Sequence, residues 1–424
     1  MTPEIEAEAG RPTPVPRQDR LASLDLIRGV AVLGILLANV VPFAQPDIAL
    51  YWPPGMEGGD TAADRWIWLA QLVLVDGKFR GLFTVLFGAG MALFVDRLVA
   101  RGADDAVMLQ LRRLLWLGLF GIAHFFLLFE GDILFAYALA GLIAIMAINL
   151  RPAALLLLGI GGSLLGGVLR LNAYWGGMWL ELSQQRILAS PEMADFYRDW
   201  WSERVAKGMT QADVWANGSW FDVIHLRWEA EAGTLPVYFI FNFHETIPLM
   251  LVGMGLYRAG LFAPGAVGKR LAGAAAIGVI VPGAIIAAAG LWVMSRDFPP
   301  FASQFVFFGV LQVVNLPMIL GAVILLCGVA ERSGESWLGE RLRGAGRTAF
   351  TNYILSSLLM SLLFQGWAGG LFGTLHRDGM LLAVLLGWAV MLTWPRWWLP
   401  RFRQGPLEWL WRSLTYWERL PNRR

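Results

Sequence analysis

Apolar runs of about 17 to 25 residues recur along this chain, the length that crosses a bilayer as helix. They constrain the fold more than any motif does. Of the 424 residues 57% are hydrophobic and only 16% are charged, and mean hydropathy is +0.54. Soluble proteins carry about a quarter charged residues, so this chain needs lipid as its solvent. Several runs are rich in Gly and Ala, which lets neighbouring transmembrane helices approach closely. The expected fold class is all-α, a polytopic transmembrane helical bundle of about ten spans. The spans are read at about 24–42, 66–95, 113–130, 132–149, 153–172, 236–257, 271–293, 303–329, 348–372 and 380–399.

Alternate connections are basic: Arg11 to Arg28, Arg97 to Arg113, Arg151, Arg258 to Arg270, Arg332 to Arg347, and Arg396 to Arg424. They hold about two thirds of the 34 lysines and arginines, which by the positive-inside rule puts both termini in the cytoplasm. The polar, Trp-rich stretch 173–235 then forms an external insert. Residues 1–20 read as a disordered cytoplasmic N-terminus, 21–400 as one membrane domain, and 401–424 as a cytoplasmic amphipathic segment. The first run is long and lacks a small-residue cleavage site, so it reads as an uncleaved span. The single cysteine, Cys327, excludes an intramolecular disulfide. No His or Cys pair has zinc spacing, no phosphate-binding glycine loop occurs, and neither a metal nor nucleic acid is an expected partner.

Polar groups inside spans are costly and therefore informative. Arg28 and Asn39 lie eleven residues apart in the first run, on nearly one helix face and roughly 16 Å apart along the axis. Asp76-Gly77-Lys78-Phe79-Arg80 places three charges in five residues, with a glycine that favours a break. It reads either as an interfacial helix with an Asp76–Arg80 pair or as a site for an anionic substrate. His124 stands near the outer end of the third run, before the turn Glu130-Gly131-Asp132. A carboxylate there could orient it as a general base; alternatively another helix satisfies it and the two acids are solvated turn residues. Asn242, His244, Glu245 and Thr246 form a second cluster, with Asn242 and Glu245 on one face and His244 on another. That cluster suits a proton relay, a substrate pocket or plain helix–helix bonding. His225 and His376 read as surface residues of outer connections.

On the inner side Arg341, Arg343 and Arg347 enter the ninth run, followed by Asn352 and Tyr353. Arginines at a helix N-terminus suit phosphate, whereas topology anchoring explains Arg341 and Arg343 equally well. The segment Gly405-Pro406-Leu407-Glu408-Trp409-Leu410-Trp411-Arg412 starts an amphipathic helix with an expected Glu408–Arg412 pair and tryptophans at the lipid headgroups.

These motifs carry a resemblance. Ser23-Leu24-Asp25 with Arg28-Gly29 and Asn39, the Asp76-to-Arg80 run with Leu82-Phe83 and Leu86-Phe87-Gly88, and His124 with Gly131-Asp132-Ile133-Leu134 form its first half. Gly346-Arg347 with Thr351-Asn352-Tyr353, and the segment from Gly405 to Arg412, complete it. Together they resemble the YeiB-like family of bacterial integral membrane proteins, which is related to a superfamily of transmembrane acyltransferases. Members of that superfamily carry an Arg followed eleven residues later by a His, or by an Asn with a catalytic His further along. Arg28 and Asn39 match the second form, and His124 is then the replacement histidine.

The resemblance implies a transferase in the bacterial inner membrane that moves an acyl group from cytoplasmic acyl-CoA to an external acceptor, a small molecule or glycan. His124, Asn39 and Asp132 would do the chemistry, and Arg28, Asp76, Lys78, Arg80, His244 and Glu245 would contact substrate. Arg347, Asn352, Tyr353, Arg401, Arg403, Glu408 and Arg412 would hold the CoA, which is a co-substrate and not a resident cofactor. A homodimer is the oligomeric expectation. The competing readings are a transporter of a small anionic solute, built on the broken second span, and a non-catalytic membrane scaffold.

Overall fold

The computed structural model describes residues 22–183, 191–333 and 336–424, and the expected disordered segment 1–20 lies outside them. Among the described residues, eight helices are long and apolar enough to cross a membrane, and two shorter apolar helices, Leu134–Ala147 and Ala349–Phe364, join them. In chain order the ten begin with Ala22–Ala44, Ala62–Val99, Ala106–Leu127, Leu134–Ala147 and Pro152–Ser183. They continue as Thr234–Arg258, Lys269–Met294, Pro300–Arg332, Ala349–Phe364 and Arg377–Trp398. The shorter two run between the same two faces as the rest. Arg258, at the end of the sixth span, bonds Asp96 at 2.6 Å and Leu150 O at 3.3 Å, which ties the end of the fourth span to one face. At the opposite face Gly366, just past the ninth span, donates to Trp215 O at 2.8 Å. We call these the basic face and the insert face.

The first span is apolar around most of its circumference and sits near the centre, with Leu26, Ile27, Ala31, Val32, Leu36 and Val41 almost wholly buried. Close approach is made possible by glycine. A Cβ at Gly346 would fall 1.8 Å from Asp25 O, and one at Gly253 in the sixth span 1.9 Å from Val85 O in the second. Neither backbone can yield. Gly253→Ala should force the second and sixth spans apart, and the yield of folded protein after detergent extraction should fall sharply. An unchanged yield and melting temperature would show that this crossing is looser than drawn.

The second span breaks where expected. Ala62–Leu74 starts with a capping box between Thr61 and Asp64, stops at Val75–Gly77, and resumes as Lys78–Val99. Gly77 has φ +76°, and a Cβ there would lie 2.2 Å from the Asn315 amide.

Several boundaries differ from expectation. The third helix starts at Ala106, because Arg112 and Arg113 continue the helical register. The fifth runs to Ser183, so the insert begins later than residue 173. The ninth stops at Phe364, well short of 372. The insert is helical: Pro191–Asn217, then Trp220–Leu226, then a π-helical turn Arg227–Glu231 leading into the sixth span.

The insert is tied down by Arg227. Its two terminal nitrogens donate to Phe126 O at 3.2 Å and Leu128 O at 3.1 Å, while Trp220 donates to Leu127 O at 3.0 Å. These are the carbonyls that the end of a helix leaves without intrahelical donors.

At the basic face the amphipathic helix Pro406–Tyr416 packs on the bundle. The expected Glu408–Arg412 pair is not what Glu408 is used for. Its carboxylate accepts from Phe350 N (2.8 Å), Thr351 N (3.0 Å) and the Thr351 hydroxyl (2.6 Å), capping the ninth span. Trp411 also reaches the bundle, donating to Arg113 O at 2.8 Å.

Candidate active site

His124 lies in the last turn of the third span, and Asp132 opens the fourth. The tight turn between them returns the chain so that Asp132 Oδ2 stands 2.7 Å from His124 Nδ1. Both side chains are buried, at 3% and 1% exposure. The other oxygen, Oδ1, accepts from Phe135 N at 2.8 Å, which locks the carboxylate. Gly121 permits this packing: a Cβ there would fall 2.3 Å from Phe135 N.

A carboxylate only accepts, so in the neutral imidazole the proton sits on Nδ1 and Nε2 keeps its lone pair. Nε2 is buried and has no hydrogen-bond partner. Tyr353 packs against the imidazole with ring centroids 4.9 Å apart, and its hydroxyl accepts from Ile133 N at 3.3 Å.

Two cavities approach this dyad from opposite faces. From the basic face, two adjoining chambers of about 300 and 190 Å³ share Arg28, Gly90, Arg113, Arg347, Glu408 and Trp411. Their mouth carries Arg28, Arg97, Arg101, Arg347, Arg403 and Arg412. Their throat is apolar, with Leu86, Phe87, Met91, Leu117 and Phe350, and it ends on Leu134, Tyr137 and Tyr353. From the insert face, a cavity of about 330 Å³ is lined by Asn39, Arg80, Phe129, Glu130, Ile133, Arg204, Lys207, Gln211, Glu231 and Tyr238. Phe129 also touches the imidazole, with centroids 6.3 Å apart. Neither member of the dyad lines either cavity itself; of the two rings packed on the imidazole, Tyr353 lines the inner cavity and Phe129 the outer one.

The expected site residues distribute as follows. His124 and Asp132 are joined, and Asn39 lines the neighbouring outer cavity. Arg28 lines the basic mouth and pairs with Asp25 at 3.1 Å. Arg347, Arg403, Glu408 and Arg412 line that mouth too, and Tyr353 lines its throat. Asn352 does not present itself to a ligand: it is buried, donates to Ala345 O at 3.2 Å and accepts from Trp394 at 2.6 Å. Arg401 lies outside the cavity and donates to Trp397 O at 2.7 Å.

The expected Asp76–Arg80 pair gives way to a bond across helices. Arg80 donates to Asn242 at 2.8 Å and to Glu245, which share one face of the sixth span as expected. Asp76 instead accepts from Gln71 at 3.3 Å, and Lys78 donates to Leu72 O at 2.5 Å. These two charges seal the helix break and line none of the three cavities. His244 faces away from Glu245, and its Nε2 accepts from Arg170 Nε at 3.0 Å.

Sequence reasoning missed three contributors. Arg170, in a run otherwise read as plain span, gave a signal in its charge that was not taken up. Glu231 and Gln211, in the insert, gave none, because only the folded insert brings them over the cavity. Glu130 is not a solvated turn residue. Burial, and then Glu231 beside it, pushes its carboxyl well above the ordinary range.

The fold defines a polytopic α-helical membrane protein with cavities opening on both faces. Comparison with known proteins places it more narrowly. The chain is 30% identical to the uncharacterized protein YeiB of Escherichia coli (strain K12), over 94% of this chain and 96% of that one. It therefore belongs to the YeiB-like family. It is also 28% identical to the uncharacterized protein YxaH of Bacillus subtilis (strain 168), covering 95% of this chain and 96% of the other. A third relative, an uncharacterized 39.9 kDa protein in the amylase 3' region of Bacillus acidopullulyticus, is 26% identical over 96% and 97% of the two chains. Residues 256–418 match the family described as a protein of unknown function (DUF418). No solved structure matches the chain.

Proposed function

We propose that this protein is a transmembrane acyltransferase, carrying an acyl group from acyl-CoA at the basic face to an acceptor at the insert face. The observation that carries the reading is the buried His124–Asp132 pair, whose imidazole keeps an unpartnered Nε2 and packs against Tyr353 and Phe129, each of which lines a different cavity. The basic mouth suits the phosphates of CoA and the apolar throat its acyl-bearing arm. In the reaction His124 Nε2 takes the proton from the acceptor hydroxyl or amine as that atom attacks the thioester carbonyl. The C–S bond breaks, and the same proton passes to the departing CoA thiolate. Asp132 holds the tautomer and stabilises the imidazolium, as a buried carboxylate does for a catalytic histidine elsewhere. Asn39 supplies an amide donor for the carbonyl oxygen, an interaction worth a few kcal/mol where negative charge develops.

The reading places the basic face in the cytoplasm of a bacterial inner membrane, since that is where CoA resides and where positive loops are retained. Alkaline phosphatase fused near residue 205 is expected to be active, and the same enzyme fused at the C-terminus inactive. The reverse pattern would put the arginine mouth on the wrong side for the donor.

The direct test is turnover by purified protein with a panel of acyl-CoA donors and candidate acceptors. Release of free CoA that depends on an acceptor is the expected result. A solute exporter is the second reading, favoured by the broken second span and by Arg80 at the outer cavity. Anion flux in proteoliposomes without any CoA release would select it.

A further inference from the structure

We infer that the outer cavity takes a ligand bearing a primary ammonium group, seated between Glu130 and Glu231. On the transferase reading, on which this use of the site rests, that ligand is the acyl acceptor.

Glu130 comes from the turn between the third and fourth spans and Glu231 from the π-helical turn ahead of the sixth. The fold brings the two carboxyls together in one cavity wall. Glu231 Oε1 accepts from Gln211, while Oε2 of Glu231 and Oε2 of Glu130 are both buried without a hydrogen-bond donor. Glu231 as a whole is 2% exposed. Two interacting carboxyls whose buried oxygens accept no hydrogen bond are costly unless a proton or a cation lies there.

None of the neighbouring cations makes a hydrogen bond to either of these two carboxyl oxygens. Arg227 gives both terminal nitrogens to Phe126 O and Leu128 O, while its buried Nε bonds to neither carboxyl, and Arg80 gives its terminal nitrogens to Asn242 and Glu245. Arg204 donates through Nε to the Tyr51 hydroxyl at 2.8 Å, and one of its terminal nitrogens lies 3.9 Å from Asp47. Asp47 adds a third carboxyl to the same cavity, and Lys207 stands on its exposed rim.

The gap fits an ammonium better than other donors. An ammonium brings three hydrogens and the charge that relieves the repulsion, whereas a hydroxyl brings one hydrogen and no charge. A divalent cation asks for six or more oxygens, and among the described residues no group of three acidic, His or Cys side chains could hold a metal. With no ligand bound, the proton that burial holds on Glu130 relieves the repulsion. Ammonium binding must then expel that proton, so affinity should rise with pH while the amine itself stays charged. The groups facing the pair, Asp47, Arg204, Lys207 and Arg227, set the midpoint and not the sign.

The test uses the full-length protein in detergent without any acyl donor. Ethanolamine is the probe, ethylene glycol its uncharged counterpart and calcium chloride the metal control. Saturation-transfer NMR reads binding, and calorimetry in two buffers of different ionisation enthalpy reads proton release. Ethanolamine should bind at least about tenfold more tightly than ethylene glycol, tighten from pH 6 to 8 and release a proton. Glu130→Gln or Glu231→Gln should remove both the preference and the pH dependence; using both guards against one variant failing to fold. Equal binding of the two probes, or unchanged binding in both variants, overturns the inference. So does displacement of ethanolamine by micromolar calcium, which would mark a metal site. Ethanolamine binding seen only in Lys207→Gln would also overturn it, because the cation between the carboxyls would then be the chain's own lysine. Acyl transfer to an acceptor without an amine removes this inference and keeps the transferase; amine binding without any turnover does the reverse.

Discussion

Replacing His124 by glutamine is expected to leave the protein folded and able to bind acyl-CoA, and to cut acceptor-dependent CoA release by about 10²–10⁴-fold. Glutamine matches much of the imidazole's bulk and still bonds to Asp132, but it cannot take up a proton at neutral pH. Asp132→Asn should be nearly as damaging, because an amide can accept as well as donate and no longer enforces the Nδ1–H tautomer. His244→Gln is the control. The Nε2 of His244 already accepts a hydrogen bond from Arg170, so its lone pair is not open to an acceptor's proton. Steady-state rates for the three variants, beside donor binding measured by calorimetry, decide the matter. Near-normal turnover in His124→Gln together with loss in His244→Gln would move the chemistry to the sixth span and end the role given to Asn39.

Arg80→Met is expected to cost about 3–5 kcal/mol of stability, because it strands Glu245 beside Asn242 in the interior. Arg80 lines the outer cavity and its side chain is 21% exposed, which puts the loss toward the lower figure. Arg80→Met combined with Glu245→Gln should recover most of it, since the stranded charge and not the lost pair dominates the cost. Thermal unfolding in detergent, followed for both single variants and the double, gives the coupling directly. A single variant that melts with wild type would mean that water in the cavity already solvates Glu245.

The break in the second span and the His124–Asp132 pair were both readable from the chain, and for one reason. Each is made by residues close in sequence, Asp76 to Arg80 in one case and eight positions bridged by a tight turn in the other. Local geometry limits what such residues can reach. The same local logic misled at Asp76–Arg80 and at Glu408–Arg412. Helical spacing allows both pairs, yet Arg80 turns to Glu245 on another span and Glu408 to the backbone of Phe350 and Thr351. In a low-dielectric interior a partner that completes several hydrogen bonds outcompetes one that merely lies a turn away.

Length and hydropathy of the apolar runs determined the eight long apolar helices found among the described residues, because crossing a bilayer is a property of each segment taken alone. Which side chains meet was decided by which helices are neighbours and how each is rotated about its axis. That depends on contacts such as Gly346 against Asp25 and Gly253 against Val85, made between segments far apart in the chain. The same holds for the insert. Its polar, helix-compatible composition says that it folds outside the apolar runs, but only docking through Arg227 onto the end of the third span brings Glu231 over Glu130 and gives the outer cavity its wall.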